Sequence, residues 1–118
     1  FYDWNILLNK EGGPNHVGNY CDAPFLFDEE RKELLQRMSA DYYWHFAHFI
    51  QPGAVRLGFS RYTDEIDVTA WENPDGRIIL ILLNRGGEAV PVHIRISGKE
   101  TEIVLSAHSI ASGVISGE

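Results

Sequence analysis

Residue types able to do chemistry gather between Trp4 and Pro24, in the stretch WNILLNKEGGPNHVGNYCDAP. It opens on an apolar run, Trp4 to Leu8, and passes into a polar loop that carries Gly12, Gly13, Pro14 and Gly18, with Asn9, Asn15, His16 and Asn19 among them. A strand feeding a long, glycine-punctuated loop is how many active-site rims are built, because loops carry function on a rigid support. An ordinary surface connection has the same composition, so the pattern alone leaves both readings open. The carboxylates in and beside the stretch are Asp3, Glu11 and Asp22, and no spacing makes two of them a catalytic pair. Cys21 needs a base to act as a nucleophile, and His16 is near it only in sequence, so a packed or rim-lining thiol is expected. His45 and His48 stand three apart, a spacing that metals use. No third ligand follows at a matching interval, so they are expected to cap, pack or face solvent, and no metal is expected.

Size and charge bound what these residues can belong to. A chain of 118 residues builds one modest core, either a single domain or a piece of a larger one. A piece is the expectation, because an apolar run so near Phe1 reads as a strand whose neighbours lie elsewhere. The net charge of -7, with no basic stripe, argues against a nucleic-acid partner. There is no run of about 18 apolar residues, so no membrane-spanning helix is expected. The single cysteine rules out an internal disulfide.

The elements that must position the stretch follow from periodicity. Phe1 to Leu8 reads as a strand with bulky residues on both faces, hence covered on both. After the loop from Asn9 to Pro24 comes a short apolar run, Phe25 to Phe27. Asp28 then offers an N-cap, and EERKELLQRM has the helix formers and charge order of a helix. Ser39 can cap a further helix to about Ile50, apolar around much of its circumference and so expected between two layers. In that helix Trp44 reads as packing. Gln51-Pro52-Gly53 ends it.

The pattern then changes to period two. Six short strands are expected: Ala54 to Phe59, Glu65 to Trp71, Arg77 to Leu83, Ala89 to Ile96, Lys99 to Leu105 and Ser109 to Ile115. Asn73-Pro74-Asp75-Gly76, Arg85-Gly86-Gly87-Glu88 and Ser97-Gly98-Lys99 are each short enough for a hairpin, which predicts an antiparallel meander. Ile78 to Leu83 is apolar at every position and should be central. Pro91 cannot donate to a ladder and should sit at an edge or bulge. One such sheet facing a partner layer is a β-sandwich.

The order of residues carries more than their periodicity. Trp-Asn, Leu-Asn, Glu-Gly-Gly-Pro-Asn and Asn-Tyr-Cys-Asp-Ala-Pro, read in succession, resemble the end of the catalytic barrel of glycoside hydrolase family 30, which includes the glucosylceramidases. SADYYWHFAHFIQPG, Ser39 to Gly53, resembles the last barrel helix of that family, and NPDGRIILILLNR, Asn73 to Arg85, its sandwich hairpin. The resemblance implies a mainly β chain: residues 1–52 as the C-terminal end of a (β/α)8 barrel, and residues 53–118 as an antiparallel β-sandwich domain. It implies a retaining β-glycosidase as the full-length parent, acting on a carbohydrate or glycoside substrate without metal or organic cofactor. Both catalytic glutamates would then lie upstream of Phe1, so this chain alone is expected to be inactive. The family's extended segment at Glu33 to Arg37 conflicts with the helix that propensity predicts there.

Within the chain the resemblance implies substrate-binding roles for three residues. Trp4 matches the tryptophan at the end of the last barrel strand, whose indole can stack on a pyranose face. Asn19 matches a loop asparagine lining the same pocket, its amide able to donate to one hydroxyl and accept from another. Tyr20 follows at the rim. The chain departs from the glucosylceramidase pattern at His16, where tryptophan is usual, and at Gly18, where a basic residue is common. These are aglycone-side positions, so the likeness supports sugar recognition and does not extend to a lipid-linked aglycone. The rival reading is a non-catalytic carbohydrate-binding or adhesion module, which needs coplanar exposed aromatics on one sheet face. Tyr62 and Trp71 are its candidates.

Overall fold

The computed structural model describes residues 2–116, and these fall into two compact units, one ending at Trp44 and the other beginning at His45. The first holds a three-stranded sheet of β1 (Leu7–Asn9), β2 (Phe25–Asp28) and β3 (Glu33–Gln36), in that order. β1 pairs parallel with β2, Leu8 beside Leu26, and β2 pairs antiparallel with β3. The strand expected over Phe1 to Leu8 is therefore much shorter. Phe1 lies outside the described residues; Tyr2 to Ile6 precede β1, the Ile6 carbonyl accepting the Phe25 N–H at 3.2 Å, and Tyr2, Trp4, Ile6 and Leu7 are exposed instead of covered.

After Asp28 the extended segment implied by the resemblance forms, and the helix given by propensity does not. Asp28 does accept two backbone N–H groups through Oδ1, from Glu30 at 3.0 Å and Arg31 at 3.1 Å, as a cap would. Those bonds close a tight turn that ends at Lys32 with φ 57°, and the chain returns as β3. Pairing with β2 overrides the local helix preference of ELLQ.

The helix α1 (Met38–Phe49) starts one residue before Ser39, which lies inside its first turn, with the Arg37 carbonyl accepting the Ala40 N–H at 2.9 Å. Among its residues Ala40 is buried, while Tyr43, Trp44 and Phe46 stay exposed. The expectation of a helix covered on both sides is thus not met within these residues. An apolar girdle this wide needs more neighbouring surface than they supply.

In the second unit, β4 (Val55–Leu57), β5 (Ile66–Glu72), β6 (Ile78–Asn84) and β9 (Ser109–Ile115) form one antiparallel sheet in that order, and β7 (Val90–Ile96) pairs with β8 (Lys99–Leu105) as a separate ribbon. The mainly β, antiparallel sandwich expected from the sequence is present. Its path is not a meander, because β9 and not β7 lies beside β6. The reason is in the patterning: β6 is apolar on both faces and needs two strand neighbours and two covers, whereas β7 and β8 alternate and can cover one face. Ile66, Leu82, Val92 and Leu105 meet in the resulting core, with Val68, Val90, Ile94, Ile103 and Ala111 around them. Each such side chain is worth roughly 2 kcal/mol of burial. Pro91 lies on β7, whose pairing among the described residues is with β8, which leaves an edge without need of its missing N–H. Ser97 (φ 50°) and Gly98 (φ 79°) make the two-residue turn between them, both left-handed as that turn requires.

Candidate functional site

The loop from Lys10 to Pro24 is built around Asn9. The Asn9 N–H donates to the Gly13 carbonyl at 2.7 Å, and its side-chain Oδ1 accepts from Gly13 at 2.8 Å and Glu11 at 3.1 Å. The far limb is fastened to the same turn: the Cys21 N–H donates to the Gly12 carbonyl at 3.1 Å. Gly12 has φ 84°, and a Cβ there would lie 2.3 Å from the Cys21 carbonyl oxygen, so only glycine lets the two limbs approach. Beneath them sits a small core of Leu8, Ala23 and Leu26, against which Cys21 and Leu35 pack. Three buried residues make a thin core, and the loop's shape rests mainly on its hydrogen bonds.

Cys21 is half-buried, and its thiol donates to the Asn19 carbonyl at 3.6 Å. It is a packed thiol that steadies the backbone at Asn19. Trp4, Asn19 and Tyr20 are all exposed, Trp4 at 88% and Tyr20 at 63%. They are carried by the same unit, Trp4 before β1 and the other two on the loop's far limb. Among the described residues no hydrogen bond joins their side chains, so the site is a set of surfaces offered outward. His16 and Gly18 are exposed on the same loop.

Three aspartates of this unit are engaged. Asp28 is buried, and it pairs through Oδ2 with Lys10 Nζ at 3.0 Å. The Arg31 backbone N–H, then Lys10, hold its carboxyl below the ordinary carboxylate range. Asp22 pairs with Arg37 at 3.4 Å. Asp3 accepts the Trp4 N–H at 2.8 Å and the Tyr43 hydroxyl on α1. The Tyr43 hydroxyl, and after it the Trp4 amide, depress the Asp3 carboxyl, while the same bond raises the Tyr43 phenol. Sequence reading passed over this link because the partners stand 40 positions apart and no local pattern joins them.

His45 Nδ1 lies 2.7 Å from Ser112 Oγ, and His48 packs edge-on to Phe49 with ring centroids 4.8 Å apart. His45 therefore joins the last turns of α1 to β9 of the sheet, while the ring contact of His48 lies within the helix. A cavity of about 990 Å³ opens in the sandwich, floored by Val68, Ala70, Leu80 and Leu82, with Arg61 and Tyr62 on its rim. That apolar floor offers little to sugar hydroxyls. Tyr62 is 98% exposed there, but Trp71 points from the opposite face of β5, half-buried with its Nε1 hidden from solvent. The expected exposure of Trp71 is corrected: neighbouring Ile79 on β6 and the sheet's packed face enclose it. Tyr62 and Trp71 do not make a coplanar platform.

Comparison with known proteins places both segments. Residues 1–51 match the glycosyl hydrolase family 30 TIM-barrel domain, and residues 53–113 match the glycosyl hydrolase family 30 beta sandwich domain. A lysosomal acid glucosylceramidase from Mus musculus is 37% identical over 94 residues, 78% of this chain and 18% of that protein. Putative glucosylceramidase 1 of Caenorhabditis elegans is 38% identical over 84 residues, covering 70% of this chain and 16% of that protein. The chain thus spans under a fifth of the length of these relatives. SrfJ from Salmonella typhimurium has the same fold at TM-score 0.93 and 33% identity, over 98% of this chain and 26% of that one.

Proposed function

This chain belongs to glycoside hydrolase family 30, and from that premise we propose that it is the C-terminal part of a retaining β-glycosidase. Residues 1–52 close the catalytic barrel, and residues 53–118 form a sandwich that supports it. The observation that carries the reading is the succession of a barrel match and a sandwich match along one chain, with an exposed tryptophan at the start of the barrel segment.

Retaining hydrolysis uses two carboxyl groups about 5 Å apart, one as nucleophile and one as acid and then base. Asp3, Asp22 and Asp28 are each tied to a structural partner, and we take the working pair to lie in an upstream barrel portion, as the family likeness implies. This chain supplies sugar contacts. Trp4 stacks its indole on a pyranose face, Asn19 reads hydroxyls with its amide, and Tyr20 borders the opening. The glucosylceramidase relatives favour a β-linked glucoside as the substrate class. His16 and Gly18 leave the aglycone side without a tryptophan or a cation.

The test compares the full-length polypeptide that contains this chain with the 118-residue chain alone on an aryl β-glucoside. Turnover is expected from the first and none above background from the second. In the full-length protein Trp4→Ala is expected to lower turnover far more than unfolding temperature. Equal losses would mean that Trp4 is only a structural residue. Tryptophan fluorescence of the isolated chain should not respond to gluco-oligosaccharides; a saturable response would put the binding-module reading ahead.

A further inference from the structure

Trp4 lies in a stretch with no strand to hold it, since β1 begins at Leu7. Its backbone is nonetheless fixed. One oxygen of Asp3, Oδ1, accepts the Trp4 N–H at 2.8 Å, and the other, Oδ2, accepts the hydroxyl of Tyr43. Tyr43 stands on α1, whose own ladder makes it a rigid support. A carboxylate with one oxygen on the residue that carries the indole and the other on a helix acts as a strut between them. Both bonds are made to an ionised acceptor, which makes them stronger than neutral ones. With both oxygens so occupied, Asp3 is poorly placed to serve in bond cleavage itself.

Resting on the reading of Trp4 as a sugar-stacking residue, we propose that Asp3 and Tyr43 are positioning residues that set the Trp4 indole for the sugar. Neither touches substrate; each acts through Trp4. The hydroxyl is the critical part of Tyr43, because its removal leaves the aromatic ring and the helix in place while freeing one end of the strut.

The experiment is a double-mutant cycle in the full-length polypeptide, with kcat and KM for an aryl β-glucoside and the unfolding temperature read for each variant. Tyr43→Phe and Asp3→Ala are each expected to lower kcat/KM about tenfold, within the range that a displaced contact group costs. Their combination should lose little more than the worse single variant, because both break one strut. In a Trp4→Ala background Tyr43→Phe should change kcat/KM less than about twofold, and the unfolding temperature should stay near that of the parent throughout. Wild-type kinetics for Tyr43→Phe, or the same loss with and without Trp4, would overturn the proposal while leaving Trp4 a sugar contact. Wild-type kinetics for Trp4→Ala would instead remove the reading beneath it, and the positioning role with it.

Discussion

Asn73, buried in the turn between β5 and β6, donates its Nδ2–H to the Phe49 carbonyl at 2.9 Å, and its Oδ1 accepts the Gln51 N–H at 3.0 Å. The last carbonyls of a helix have no partner within it. Here a side chain from a hairpin supplies one, and so ties the end of α1 to the sheet. Replacing Asn73 by Ala removes both of these bonds from a partly buried site. A loss of about 2–4 kcal/mol is expected. Urea unfolding of the whole chain checks it: the midpoint should fall without a change in slope, and an unmoved midpoint would mean that water replaces both bonds at no cost.

Gly12 sets the form of the loop that carries Asn19 and Tyr20. Its φ of 84°, and the mere 2.3 Å that would separate an added Cβ from the Cys21 carbonyl oxygen, make Gly12→Ala doubly unfavourable. The neighbour in the way is backbone and cannot rotate aside. Gly18, at φ 71° with open space around it, gives the control: Gly18→Ala carries the conformational cost without the collision. Gly12→Ala is expected to cost more than Gly18→Ala by at least about 1 kcal/mol, measured by chemical unfolding. Equal costs would show that the two limbs of the loop can separate freely.

Much of the sandwich was legible because its signals are local. Period-two alternation marked β8 and β9 at their observed bounds, and the unbroken apolar run of β6 marked it as central. What the pattern did not carry was the partner of β6. The Arg85 to Glu88 segment has hairpin composition, yet it leads β7 out to a ribbon of its own, a choice made by which face needs cover. In the first unit the two readings of Glu33 to Arg37 are decided in the same way: the extended segment implied by the family likeness forms as β3, since pairing with β2 outweighs intrinsic preference. The candidate site was legible only as a family likeness. Asp3 and Tyr43 meet through the fold, and nothing about either residue in isolation announces the other.

Asp28 links stability to acidity. Its carboxyl is depressed in the folded chain, first by the Arg31 N–H and then by Lys10, so the unfolded chain binds the proton more readily. The stabilisation is therefore fully present above the ordinary aspartate pKa of about 4 and is lost as pH falls through the lower folded value. Asn keeps the turn-closing acceptor and removes the charge. Asp28→Asn should be less stable than the parent at pH 7, and the difference should shrink below about pH 4. Urea midpoints across that range give the answer, and a constant difference would assign the acid limb to other carboxylates.

Asn84 is 1% exposed and fastens the crossover after β6 to the connection between β8 and β9. Its Nδ2 donates to the carbonyls of Glu88 at 2.8 Å and Ser106 at 3.0 Å, and its Oδ1 accepts the Gly86 N–H at 2.9 Å. Both donors and the acceptor are in use, so no neutral residue of similar size replaces it. Asn84→Leu is expected to cost about 2–4 kcal/mol through the groups it leaves unpaired. Asn84→Asp is more informative. An ionised carboxylate there faces two carbonyl oxygens in a buried site, which raises its pKa above the unfolded value. Protonation returns one donor, so this variant should gain stability relative to the parent as pH falls through the carboxylate range, the opposite sign to Asp28. Parallel pH profiles for the variant and the parent would mean that the carbonyls turn away from the charge, and that the crossover is held by packing instead of by Asn84.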